Sequence, residues 1–184
     1  EAGSLLKNGG FEELDASGWP LDFSTWVAQG DPKIGIEHGM ACSGNRSVYI
    51  AGDGSARASL NQTVTFEGAA TCELTVWYRV SEGMSRDGVT LRLMAFHSPG
   101  NAESDKVPWD MTRLAPAAGS SVELSGNNLH LRPESEPVPG EWHQLGLILS
   151  LSGEVERLHV ALFNWLGTGT IWFDDISLDV TEYD

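Results

Sequence analysis

The feature that most restricts this chain is apolar–polar alternation with a period of two, cut every six to ten residues by Gly, Pro, Asn, Asp or Ser. No stretch carries a helical period. Cys72 to Ser81 sets Leu74, Val76, Tyr78 and Val80 on one face and Thr75, Trp77 and Arg79 on the other. Val89 to Phe96 repeats the pattern, with Val89, Leu91, Leu93 and Ala95 opposite Thr90, Arg92, Met94 and Phe96. Arg46 to Ile50 and Ala56 to Phe66 read as strands joined through the hairpin-type turn Gly52-Asp53-Gly54. Trp142 to Leu151, Val155 to Trp165 and Thr170 to Val180 supply three more strands, and shorter segments lie near Leu5, Phe23 to Val27 and Ile34 to Ile36. About nine to eleven strands at this spacing predict an all-β chain, a sandwich of two antiparallel sheets.

A length of 184 residues fits a single domain over 1–184 with a full core. Gly, Pro, Ser, Asn and Glu dominate from Ser98 to Gly140, with alternation only at Val122 to Leu124 and Leu129 to Leu131. That segment reads as a long insertion at about 98–140, carrying Trp109. The 21 glycines match a fold with many tight turns, and seven tryptophans exceed what a core this size needs, so some belong at the surface.

A net charge of −15 excludes nucleic acid as the expected partner and points to a neutral glycan over a polyanionic one, because the 11 Lys and Arg look scattered along the chain. No apolar run approaches the length that spans a bilayer, so no membrane partner is expected. The opening Glu-Ala-Gly-Ser reads as a processed mature end or as the edge of a module cut from a longer precursor. Cys42 and Cys72 either pair, if the protein is exported, or stay free thiols.

Catalytic patterns are missing from the sequence. The histidines His38, His97, His130, His143 and His159 form no H-x-H or H-x-x-x-H pair, and no G-x-S-x-G elbow occurs. The paired acids Glu134 and Glu136, and Glu154 and Glu156, sit in turn-rich sequence where solvated charge is the ordinary reading. The aromatics are more telling, since an indole offers a rigid flat surface to the C–H face of a sugar. His159, Ala161, Phe163 and Trp165 share a face opposite Leu158, Val160 and Leu162; Trp77 and Trp172 also point away from their aliphatic neighbours. With Arg79 and Arg92, these residues could line one concave sheet that stacks and hydrogen-bonds a glycan. The alternative is a second small core beneath the insertion.

Two ends of the chain carry a recognisable pattern. Leu5-Leu6-Lys7-Asn8-Gly9-Gly10-Phe11-Glu12, then Gly18-Trp19 and Trp26, stand near the start. Gly44 to Ile50 follows, and Gly140-Glu141-Trp142 and Gly169 to Leu178, containing Trp172-Phe173-Asp174-Asp175-Ile176, stand near the end. In this order the motifs resemble the carbohydrate-binding modules of the family 4, 9, 16 and 22 group. The resemblance implies a jelly-roll sandwich without catalytic residues, covalently linked to a glycoside hydrolase or polysaccharide lyase in a larger bacterial protein, secreted to the extracellular space.

It further implies a structural calcium where first and last strands meet, held by Glu12, Asp174 or Asp175, and backbone oxygens near Gly10 and Asn45; hard oxygens suit that ion. It places Gln29, His159 and Phe163 on the ligand face, where Phe163 stands in a position expected to be polar, and Trp109 on the insertion extends the candidate set. A structural or protein-interaction sandwich of a cell-surface protein is the other reading of the same pattern.

Overall fold

The computed structural model describes residues 3–97 and 100–183. The first two residues of the expected insertion, Ser98 and Pro99, lie outside the described residues. Twelve strands follow in order: β1 (Ser24–Gln29), β2 (Lys33–His38), β3 (Arg46–Asp53), β4 (Arg57–Thr65), β5 (Ala70–Val80), β6 (Val89–Phe96), β7 (Leu114–Pro116), β8 (Ser120–Ser125), β9 (Asn128–Pro133), β10 (His143–Leu151), β11 (Arg157–Trp165) and β12 (Thr168–Tyr183). They form two six-stranded antiparallel sheets, the first ordered β1-β4-β11-β6-β9-β8 and the second β2-β3-β12-β5-β10-β7. This is the predicted all-β sandwich.

Alternation decides which side chains meet between the sheets. Leu60, Leu91, Leu129 and Leu162 of the first sheet pack on Ile50, Leu74, Leu147 and Phe173 of the second, all essentially inaccessible. Truncating one such leucine to alanine typically costs about 2–5 kcal/mol, because the gap it leaves closes only partly.

Three sequence expectations change. Gly52-Asp53-Gly54 is not a hairpin turn, for β3 and β4 belong to different sheets. Val48 and Ile50 must enter the core from one side and Ala58 and Leu60 from the other, so the chain turns a corner. Asp53 fixes the corner by accepting hydrogen bonds from the Ser55 amide (3.0 Å) and hydroxyl (2.5 Å). The segment near Leu5 is no strand either. Its backbone is satisfied piecemeal, by Leu178 (Leu5 N–H to the carbonyl, 2.8 Å) and by the Gln62 side-chain amide, which bonds both backbone groups of Lys7.

The supposed insertion is part of the scaffold. β8 and β9 form a hairpin through Gly126, at φ 60°, that extends the first sheet beyond β6, while β7 covers the outer edge of β10. Cys72 is buried in the core, Cys42 lies on a loop, and both are free thiols.

Candidate functional site

The first sheet has an outer face that is neither bare nor apolar. In register across it, Trp26 of β1 lies beside Ser59 of β4, Ser59 beside Phe163 of β11, and Phe163 beside Thr90 of β6. The next row runs Asn61, Ala161, Arg92, His130 and Glu123. Ser59, Asn61 and Ala161 are buried yet point away from the sandwich core, so they are the floor of something built on top. The Ser59 hydroxyl donates to the Asn61 side-chain oxygen (2.6 Å), which closes that floor.

What stands on the floor is a layer of arginines and rings. The Arg92 guanidinium carbon lies 4.8 Å from the Phe163 ring centre and 5.1 Å from that of Trp26. The small side chain of Ala161 leaves the room it crosses. Trp26 meets Phe163 edge-on at 6.1 Å, and Phe163 meets Trp165 at 5.1 Å. Trp165 is flanked by Arg57 at 4.8 Å, Arg132 at 5.8 Å and the His130 ring at 4.8 Å, and Arg157 lies 5.0 Å over Phe96. Cation–π contacts of this kind hold long side chains in place while leaving guanidinium hydrogens free to donate.

Trp26 is 45% exposed and forms one wall of a groove of about 590 Å³, completed by Thr63, Met94, Phe96, Arg157 and His159, with Lys106 and Glu103 at its rim. Asn101, Glu103 and Lys106 of the segment before β7 thus border the face. Burial, reinforced by neighbouring arginines, pushes the imidazoles of His130 and His159 down to about 4, so both rings are neutral near pH 7.

Among the sequence candidates, Arg92, His159, Trp165 and Gln29 gather here, Gln29 at the β1 edge with its amide donating to the Ser55 carbonyl (3.1 Å). Phe163 is here too, but fully buried under Trp26, Arg92 and Trp165, as a support for the rings above it. Trp77, Arg79 and Trp172 are elsewhere. They lie on β5 and β12, on the outer face of the second sheet, where the Trp172 indole donates to Glu37 (3.1 Å). Alternation gave each residue its side of a strand; it could not say to which sheet the strand belongs. Trp109 lines a separate cavity of about 240 Å³ at the sandwich edge with Val107, Leu114 and Leu151.

Residues that sequence reasoning passed over are Trp26, Arg57, Arg132, Arg157, Phe96 and His130. For some the signal was present, since His130 and Arg132 alternate with the core residues Leu129 and Leu131; Trp26 carries none, because its neighbours Thr25 and Val27 are exposed. The cations are also not scattered, since four of the arginines meet on this one face.

The residues expected around calcium lie along the contact between the loop before β3, the Gly10–Glu12 segment and β12, tied by hydrogen bonds from loop groups to carboxylates. A bulge in β12 between Asp174 and Ser177, with Asp175 at φ 47°, breaks alternation so that both aspartates address the loop before β3. Asp174 accepts from the amides of Cys42 (2.8 Å) and Ser43 (3.2 Å), and Asp175 accepts from the Ser43 hydroxyl (2.6 Å). Glu12 accepts from the amides of Asn45 and Arg46, both at 2.9 Å. Gly44, at φ 67°, is needed there, because a Cβ would lie 2.9 Å from the Glu12 carboxyl carbon. Gly10 packs beside the Asp175 carboxylate. Burial raises Asp174 to about 6, with the neighbouring Asp175 charge adding to it. Among the described residues no three metal-ligating side chains converge, so an ion here would take much of its oxygen shell from the backbone.

No family model and no curated protein matches the chain. Solved structures do. The module TmCBM61, solved in complex with β-1,4-galactotriose, superposes with a TM-score of 0.55 at 18% identity, over 95% of this chain and 97% of that one. The CBM22-1 xylan-binding domain of Xyn10C from Paenibacillus barcinonensis gives 0.56 at 14% identity, over 100% and 99%. The enzymatically active domain of tailspike protein 4 from bacteriophage CBA120 gives 0.63 at 13% identity over 96% of this chain, which spans only 21% of that tailspike chain. At these identities the likeness concerns architecture: the chain shares its two-sheet β-sandwich with these domains.

Proposed function

We propose that the chain binds a glycan on the outer face of the first sheet and performs no chemistry on it. The observation that carries this reading is Trp26, half exposed beside an open groove and held edge-on by a buried Phe163. An exposed indole fixed in orientation is a stacking platform for a sugar ring, already ordered before the ligand arrives. The carboxylates at this face speak for binding over turnover: Glu123 is paired with Arg132 (2.9 Å) and Glu103 with Lys106 (2.7 Å), which leaves neither poised as a general acid or base. Solved neighbours that carry galactotriose or are described as xylan-binding support the same reading. Attachment to a larger secreted bacterial polysaccharide-degrading enzyme belongs to this proposal. A glycan array, with Trp26→Ala as control, tests it; binding should fall roughly tenfold in the variant. Equal binding by the variant would move the ligand off this face.

A structural calcium at the junction of Glu12, Asn45, Asp174, Asp175 and Gly10 is the second part of the proposal. Asp174 is fully buried beside a second carboxylate, and no cationic side chain among the described residues forms an ion pair with either. An ion would supply that charge and tie the start of the chain to β12.

A further inference from the structure

We propose that the glycan taken by this face is acidic, its rings carrying carboxylates that the guanidinium groups of Arg92 and Arg57 receive. The inference rests on the glycan-binding reading above and narrows it. It reverses the expectation of a neutral ligand drawn from net charge.

Charge distribution is the first argument. The whole chain holds 11 Lys and Arg against 26 Asp and Glu, yet Arg57, Arg92, Arg132, Arg157 and Lys106 crowd one sheet face. Among the described residues the carboxylates ion-paired with this group are Glu123 and Glu103, committed to Arg132 and Lys106. Among the described residues neither Arg57 nor Arg92 has a carboxylate in an ion pair with it.

Hydrogen bonding is the second. Arg132 is a structural clamp, donating from Nε to Thr90 (2.9 Å) and to Glu123. Arg157 donates to Asn101 (2.7 Å) and to the Gly100 carbonyl. Arg57 and Arg92 make no hydrogen bond among the described residues, although rings fix both of their planes. Buried nitrogens without a partner also concentrate here: the Nε atoms of Arg57, Arg92 and Arg157, Nε2 of His130 and Nδ1 of His159. Buried polar nitrogens without a partner are costly, so their concentration beneath this face marks it as unusually polar for a sheet surface.

Electrostatics is the third. Burial first, and then the like charge of Arg57, hold Arg92 below the ordinary arginine value. A carboxylate received by Arg92, with Arg57 available to a second one, offsets that like charge and accepts charge-assisted hydrogen bonds, while the sugar ring bearing it stacks on Trp26. The ring-and-cation layer matches one ligand that is at once flat-faced and anionic.

The test uses oligogalacturonates, hyaluronan oligosaccharides and sialyllactose, each beside its methyl ester, in calorimetric titrations of the whole chain at low and moderate salt. A sulfated heparin fragment and a single-stranded oligonucleotide complete the set. The expected result is that at least one acid form binds about tenfold or more tightly than its ester, with the advantage shrinking as salt rises. Arg92→Gln and Arg57→Gln should each abolish that advantage while melting cooperatively, and Arg92→Lys should keep part of it. Equal binding of acid and ester would overturn this inference and leave the glycan reading standing. Preference for the sulfated fragment over every carboxylate would overturn the carboxylate assignment. Tighter binding of the oligonucleotide than of any saccharide, or no saccharide binding by a cooperatively folded protein, would overturn both readings.

Discussion

His130→Gln should make the protein less sensitive to acid. His130 is 4% exposed, its ring lies 4.8 Å from Trp165, and its buried Nε2 has no hydrogen-bond partner. Burial first, then Arg132, Arg92 and Arg57, hold the imidazole down to about 4, with Glu123 pulling weakly the other way. An unfolded chain protonates the same ring at its ordinary value of about 6.5. Because the folded value is depressed, the unfolded state takes up the proton first as pH falls, and stability drains away between about 6.5 and about 4. Integrated from pH 7 to about 4.5, the loss due to this one group is on the order of 2–3 kcal/mol. His159, also depressed to about 4, adds to the slope, while Asp174, raised to about 6, opposes it by binding its proton earlier in the fold. Both are present in wild type and variant and cancel in the difference. Urea unfolding followed by tryptophan fluorescence at the two pH values measures it. The wild type should lose about 2–3 kcal/mol more than His130→Gln on acidification; identical losses would refute the depressed imidazole and the positive potential inferred around it.

Trp77→Ala should leave glycan affinity within about twofold of wild type, since the indole lies on the second sheet; a large loss in the same titration would place the ligand there. Ala161→Leu should destabilise by about 1–3 kcal/mol and weaken glycan binding, because the added carbons fill the space that Arg92 crosses; denaturant melts and titration read the two effects separately. Chelation should lower the melting temperature if calcium occupies the Glu12–Asp174–Asp175 junction, by an amount that grows with the free-ion concentration used beforehand. An unchanged melt after verified metal removal would leave the amide-to-carboxylate bonds as the whole of that junction.

The fold was legible because burial forces a period of two onto every strand, and β6 was placed residue for residue. Legibility failed where strands are short, as in the three residues Leu-Ala-Pro of β7, or carry polar residues that look like loop, as the serines and glutamate of β8 do. It failed more instructively at the site. Trp77 and Trp165 show the same local pattern, an aromatic opposite aliphatics, yet they end on opposite sides of the sandwich. Sheet membership depends on pairings such as β4 with β11 and β5 with β12, which are non-local and leave no mark within either strand. The alternation of β6 marks Arg92 as outward-facing, but its setting depends on Arg57, distant in sequence and two strands away in the sheet.

The opposition between a body of net charge −15 and a cationic face sets the kind of acid the face can use. Beyond a screening length of about 8–10 Å at ordinary ionic strength, a ligand feels little of any single arginine, and at lower salt it meets a repulsive acidic body. A long, densely charged polyanion would carry most of its charge into that repulsion while only a short stretch reached Arg92 and Arg57. A glycan with carboxylates at intervals, or one acidic sugar at a chain end, delivers its charge to the guanidiniums and keeps the remainder neutral. Trp26 then has a ring to stack on beside the anion, and the hydrogen-bond donors around Arg92 find their acceptor within the same sugar. The local concentration of charge selects for an acid, and the global charge selects against too much of it.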